Sequence, residues 1–147
     1  MKLKYKKNYI IADFGASNGR ISVGSYYKDS FEIETVHRFE NSQVLLNGRY
    51  YWDILRLFSE LKKGISISFN KFKNIRSVAV DTWWLDFGLI DRTGKLMSNP
   101  LTYRDSEKSK RDPRNLFKTI SEIDFFKLTG YFTTPLAPAF FLEKLAS

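Results

Sequence analysis

Two apolar runs, Tyr9-Ile10-Ile11-Ala12 and Ile21-Ser22-Val23-Gly24, flank the segment Asp13-Phe14-Gly15-Ala16-Ser17-Asn18-Gly19-Arg20. Short apolar runs separated by small residues predict strand, tight turn, strand. The turn has two chemical readings. A Gly-rich turn exposes backbone N–H groups that bind anionic oxygens, and an acid just before it can hold Mg²⁺ directly or through water. The same residues also suit an ordinary hairpin with Gly at positive φ.

The pattern continues. In Phe31–Phe39, residues Phe31, Ile33, Thr35 and His37 alternate with Glu32, Glu34 and Val36, which predicts a third strand and an antiparallel meander. Residues 40–49 read as a polar loop with Asn47-Gly48 as its turn signal. Asp53 suits a helix cap, and Ile54, Leu57, Phe58, Leu61 and Ile65 then recur at helical spacing. Lys62 and Lys63 lie late in that helix, where they complement its dipole, and Gly64 weakens the helical reading near its end. Residues 75–81 predict a strand ending in Asp81, and strand–helix–strand order implies a parallel crossover. Residues 87–91 read as another strand, Asp91-Arg92-Thr93-Gly94 as a turn, and residues 95–103 as its returning partner. Residues 106–114 are charged and expected to be exposed. Ser121-Glu122-Ile123-Asp124 starts a short helix that Gly130 can end. After Pro138 another helix begins, with Phe140, Phe141, Leu142 and Leu145 expected to present an uncovered apolar face.

Composition narrows the chemistry. The 147 residues suffice for one domain with a core. With no Cys, disulfides, thiolate metal sites and Cys nucleophiles are excluded within the chain, and His37 is its single His. No apolar run approaches the ~20 residues that span a membrane. The basic start, residues 1–8, reads as a tail without the features of a secretory signal, and a cytoplasmic protein is expected. The net charge of +8 raises nucleic acid as a partner. The Lys residues are scattered, however, and no recognition helix, zinc finger or RNA-binding signature accompanies them. They read as solvated surface.

Three strands, a helix, a strand, then more strands and helices match the ribonuclease-H-like (actin-like ATPase) plan. The expected class is α/β, with a mixed sheet that begins as an antiparallel three-strand meander and is incomplete at the C-terminus. Within that plan, Asp13–Arg20 resembles the first phosphate loop of the FGGY carbohydrate kinases. Further segments resemble the rhamnulokinase branch: His37-Arg38-Phe39-Glu40-Asn41, Tyr51-Trp52-Asp53, Asp81-Thr82-Trp83-Trp84-Leu85-Asp86-Phe87-Gly88-Leu89, Tyr103-Arg104-Asp105 and Leu128-Thr129-Gly130. They stand in the family's order and at similar spacing across residues 9–145. The Asp-Thr-Trp…Asp-Phe-Gly segment is the most discriminating.

The resemblance implies that residues 9–147 are part of the N-terminal actin-like domain of a sugar kinase. The reaction would be transfer of a phosphoryl group from Mg-ATP to a ketose, L-rhamnulose by the nearest branch. Asp13 would hold Mg²⁺ through water. Ala16, Ser17, Asn18, Gly19 and Arg20 would touch the nucleotide phosphates. Trp83, Trp84 and Asp86 would line the sugar site, with Asp86 accepting from sugar hydroxyls and an indole stacking on the sugar. Each residue also has a structural reading: Asp13 as a strand end, Arg20 as a surface cation, the Trp pair as core or interface aromatics, and Asp86 as a structural acid; Tyr103-Arg104-Asp105 reads as an internal ion pair or as a sugar-side contact. His37 reads as a packed strand residue, and Lys108, Lys110, Arg111 and Arg114 as a solvated face.

Two departures matter. The family pattern has Gly after Asp-Thr-Trp, where this chain has Trp84. The family's general-base Asp, second phosphate loop and adenosine site also have no counterpart here. The isolated chain is therefore expected to be inactive and to need the missing kinase region, or a partner over the Phe140/Phe141 face. The competing expectation is a non-catalytic sugar- or protein-binding module.

Overall fold

The computed structural model describes residues 6–106, 114–134 and 136–146. They form two compact units, Met1–Ser42 with Asp53–Trp83, and Gln43–Trp52 with Trp84–Ser147.

The first unit holds a four-stranded sheet in the order β3-β2-β1-β6, built from β1 (Lys7–Phe14), β2 (Asn18–Tyr27), β3 (Ser30–Glu40) and β6 (Ile75–Thr82). β1 and β2 run antiparallel, as do β2 and β3, while β6 lies parallel to β1. The meander and the crossover are thus as the sequence implies. Helix α1 (Ile54–Lys71) packs on one face, over Ile10, Ala12, Phe14, Ile21 and Val23, with Leu57 its buried contribution. Asp53 caps it, its carboxylate accepting from the Arg56 N–H at 3.0 Å.

Gly64 is not near the helix end, which lies at Lys71. It sits within α1, and a Cβ there would lie 2.2 Å from the Ile21 side chain. The lost helix propensity of glycine, about 1 kcal/mol, is offset by the close approach of helix to sheet. A second difference lies in β3. The β2–β3 register shifts between Ile21 and Ser22, which pair with His37 and Thr35, so Val36 is the extra residue of a β-bulge. The bulge places His37 and Phe39 on the α1 side and leaves Phe31, Ile33 and Thr35 on the opposite face. The His37 Nε2 meets Glu60 Oε2 of α1 at 2.5 Å, consistent with a packed strand residue.

The sheet is unevenly covered. Val78 and Val80 of β6 stand in register with the buried Ile10 and Ala12, yet they are 44% and 57% exposed because α1 lies over β1–β3. On the far face Phe31 and Ile33 are exposed. Among the described residues β6 is paired on one side only.

In the second unit, the expected polar loop is a hairpin, β4 (Gln43–Leu46) and β5 (Arg49–Trp52). Asn47 and Gly48 both take positive φ, 51° and 75°, as a two-residue hairpin turn requires. β5 also takes a neighbour on its other side. The Trp52 N–H donates to the Pro100 carbonyl and the Thr102 N–H to the Tyr50 carbonyl, each at 2.9 Å. The expected pairing of residues 87–91 with 95–103 shrinks accordingly to one bridge, Ile90 with Leu96, around the Asp91 turn. The segment beyond Ser98 is drawn to β5 instead.

A 3₁₀ turn (Leu116–Lys118), α2 (Glu122–Thr129) and α3 (Pro138–Ala146) complete this unit. Ser121 caps α2 and Gly130, at φ 68°, ends it. The apolar face of α3 is partly covered from within. Phe140 is only 2% exposed, packed on Phe117 and Phe125, and Phe141 meets Phe87 at 5.2 Å. Leu142 remains exposed. Lys108, Lys110, Arg111 and the Leu145 side chain lie outside the described residues.

Candidate functional site

Asp13 stands near the C-terminal end of β1, and the chain turns back at once. The Gly15 N–H donates to the Asn18 carbonyl at 2.9 Å, closing the turn. A Cβ on Gly15 would lie 2.7 Å from that carbonyl oxygen, and one on Gly19 would lie 2.2 Å from the Phe39 ring. Neither glycine has positive φ. β1 and β2 do form a hairpin here, but these positions need glycine for close approach, not for a left-handed backbone, which corrects the positive-φ part of the hairpin reading.

Asn41, just past β3 and only 4% exposed, supports the turn from behind. Its Nδ2 donates to the Gly15 carbonyl at 2.8 Å and its backbone N–H to the Ser17 carbonyl at 3.0 Å. The carbonyls of Gly15, Ser17 and Asn18 therefore all accept hydrogen bonds from within the unit, which reduces their repulsion of an anion. Ser17, Asn18 and Arg20 are exposed, Ala16 is half-buried and Gly19 is buried.

Arg20 faces Asp13 directly across the β1–β2 pair. Its Nη2 and Nε lie 2.6 and 2.7 Å from one oxygen, Asp13 Oδ2. Asp81 occupies the neighbouring register position on β6. Two carboxylates thus end adjacent parallel strands, with a cation beside one of them. The described residues contain no group of three or more His, Cys, Asp or Glu suited to a metal. Asp13 would need water or phosphate oxygens to complete a Mg²⁺ shell.

The sugar-site candidates separate. Trp83 packs against the core of the first unit, whereas Trp84 and Asp86 belong to the second. Asp86 is held firmly: its Oδ2 accepts from the Trp52 indole N–H at 2.6 Å and from the Tyr103 N–H at 3.1 Å. Trp52 is itself 1% exposed. Two residues along the chain from Tyr103, the fully buried Asp105 accepts from Arg49 Nε at 3.0 and 3.1 Å, from the Tyr50 N–H at 2.9 Å, and meets Arg49 Nη2 at 3.0 Å. Asp105 is therefore an ion-pair residue, but with Arg49 rather than the adjacent Arg104 as its partner. Arg49, Trp52 and Asn41 are the residues that motif reasoning did not assign. The Asn-Gly hairpin signal would have placed Arg49 and Trp52 on one strand, but not their partners fifty-six and thirty-four residues on.

Trp84 is 54% exposed and meets Tyr131 edge to face, with ring centroids 4.6 Å apart. Tyr131 stacks on Phe132 at 4.8 Å. Elsewhere, the hydrogen bond from His37 holds the Glu60 carboxyl below the usual carboxylate range. Asp91 is lowered by N–H donation from Lys95, then by Thr93.

No family model matches the chain. Curated relatives are rhamnulokinases. That of Bacteroides thetaiotaomicron is 32% identical over 125 residues, covering 85% of this chain and 26% of the relative. That of Halalkalibacterium halodurans is 39% identical over 99 residues, covering 67% and 21%. The chain thus spans about a quarter of the length of its curated relatives. Solved structures sharing the fold include gluconate kinase from Lactobacillus acidophilus (TM-score 0.73, 14% identity, 94% of this chain and 28% of that one). Xylulose kinase from the same organism matches with TM-score 0.72 and 16% identity over 96% and 28%. Plasmodium falciparum glycerol kinase, solved with ADP, gives 0.56 and 21% over 91% and 28%.

Proposed function

The chain belongs to the FGGY carbohydrate kinase family, as a fragment-length match to rhamnulokinases, and we propose that it is the N-terminal part of an ATP-dependent ketose kinase acting on L-rhamnulose. The observation that carries the reading is the Asp13–Arg20 turn. Two glycines let it close against Asn18 and Phe39, and Asn41 fixes its carbonyls inward. Such a turn is suited to N–H donation toward phosphate. Ala16, Ser17, Asn18 and Gly19 contribute the backbone, and Arg20 adds a planar cationic fork. Asp13 would exchange its Arg20 partner for hydrated Mg²⁺, leaving the guanidinium to the phosphates. Trp84 and Asp86, both in the second unit, would bind the sugar. The site would work in the cytoplasm on a small-molecule substrate.

Phosphoryl transfer depends on positioning and charge neutralisation from both sides of the phosphate. Residues 9–147 supply one side. The open edge of β6, with Val78 and Val80 exposed, supports a need for further polypeptide beside it. In a coupled ADP-release assay with L-rhamnulose and Mg-ATP, the 147-residue chain should show no robust turnover. Substituting it for the matching quarter of the Bacteroides thetaiotaomicron rhamnulokinase should give an active enzyme. Robust turnover by the chain alone would overturn its incompleteness, and a folded but inactive chimera would overturn the kinase reading. The second reading, a non-catalytic module binding sugar or protein, is favoured by the exposed Trp84. A discrete dimer or heteromer in size-exclusion chromatography would support it.

A further inference from the structure

We infer that His37, Phe39 and Asn41 are positioning residues of the Asp13–Arg20 turn, a brace that ties its proposed phosphate-binding backbone to helix α1. The inference rests on the proposed kinase reading and deepens it. It gives a role to the segment His37-Arg38-Phe39-Glu40-Asn41, from which that reading draws only Asn41. Backbone N–H groups that meet an anion act through being held in place beforehand. Gly15, Ala16 and Gly19 have no side chain long enough to hold the turn, and glycine leaves the chain its widest freedom.

The support comes from β3. Phe39 pairs with Gly19, and its ring lies so close that a Cβ on Gly19 would come within 2.2 Å of it. That ring has two aromatic neighbours, Phe14 at 5.8 Å with planes at 60° and His37 at 5.6 Å with planes at 29°. Such contacts favour one ring orientation. His37 Nε2 in turn meets Glu60 Oε2 of α1 at 2.5 Å, with the two side chains only 10% and 21% exposed. Contacts therefore run without a break from the helix, through His37 and Phe39, to Gly19. Asn41 completes the brace at the carbonyls of Gly15 and Ser17. The bulge at Val36 makes this possible. Strict alternation from Phe31, Ile33 and Thr35 would put His37 and Phe39 on the face away from α1, and the extra residue re-aims them toward it. All of these groups lie in the first unit. Loosening the brace should therefore weaken phosphate binding while the sheet stays folded.

The test is Mg-ATP binding to the 147-residue chain, read from the amide NMR shifts of residues 15–19, with unfolding curves confirming that each variant is folded. Asn41→Ala and Phe39→Leu should each weaken binding about tenfold, as loss of one set of supporting contacts would. His37→Ala should weaken it about threefold, and His37→Gln, which keeps an N–H donor for Glu60, should recover part of that loss. Val23→Ala removes core from the same sheet away from the turn and should bind as the parent does, which separates positioning from stability. Unchanged binding by folded Asn41→Ala and Phe39→Leu would overturn the inference, and so would an equal loss in Val23→Ala. Absence of Mg-ATP shifts at the turn of the parent chain would remove the inference together with phosphate binding by this part. The chimera's turnover judges the kinase reading separately.

Discussion

The Asp13–Arg20 turn and the Asp86 region are built on opposite principles. The turn is made by missing atoms: Gly15 and Gly19 are there because a Cβ would strike Asn18 or Phe39. Its one side-chain support, Asn41, bonds to backbone. The Asp86 region is made by side chains reaching across long stretches of chain, Trp52 to Asp86 and Arg49 to Asp105. A site made by close backbone approach tolerates almost no substitution at its glycines. A site made by charged and indole pins weakens when one partner is lost, most where a fully buried group such as Asp105 or Trp52 is left behind.

Removing a pin should have the largest effect. Asp105→Ala removes the fully buried carboxylate that accepts from Arg49 and from the Tyr50 N–H; Arg49 is 33% exposed and regains water, so equilibrium denaturation should show a loss of about 2–3 kcal/mol. A loss below about 1 kcal/mol would mean the pair is dispensable. Gly64→Ala tests close approach away from the site. Its methyl would enter the space of fully buried Ile21, and destabilisation of about 1–3 kcal/mol is expected. A stabilised variant, as helix propensity alone would give, would show that the helix can lift from the sheet. Trp52→Phe keeps a buried ring but deletes the N–H that Asp86 accepts. It should cost about 1–2 kcal/mol, with the unfolding transition of the first unit unchanged if the units melt separately.

The smallest effect is electrostatic. Glu60 titrates below its ordinary range when folded, chiefly through the His37 hydrogen bond. Its stabilisation is therefore fully present above the ordinary glutamate pKa and is lost as pH falls through the lowered folded value. Glu60→Gln should remove that part of the acid dependence in denaturation curves measured between about pH 3 and 6. An unchanged profile would place the acid sensitivity elsewhere.

Much of the first unit was legible. Strand periodicity, the Asp53 cap and the acids ending β1 and β6 are local signals, and the structure follows them. The bulge at Val36 was not, because a period-two pattern does not reveal a one-residue shift in pairing. Gly64 weakened the helical reading for a related reason: its small size answers to Ile21, forty-three residues away, and not to its own helix. Residues 95–103 misled because Pro100 to Thr102 had a better strand partner in β5 than in residues 87–91.

From sequence alone, the order of elements, the family and the candidate phosphate turn followed, since each depends on residues close together in the chain. Tertiary structure decided which of those residues are already engaged. It paired Asp13 with Arg20, locked Asp86 onto Trp52, covered Phe140 with Phe117 and Phe125, and left Trp84 half open. These outcomes depend on which distant groups arrive within a few ångströms, and that is a property of the packed chain and not of any segment of it.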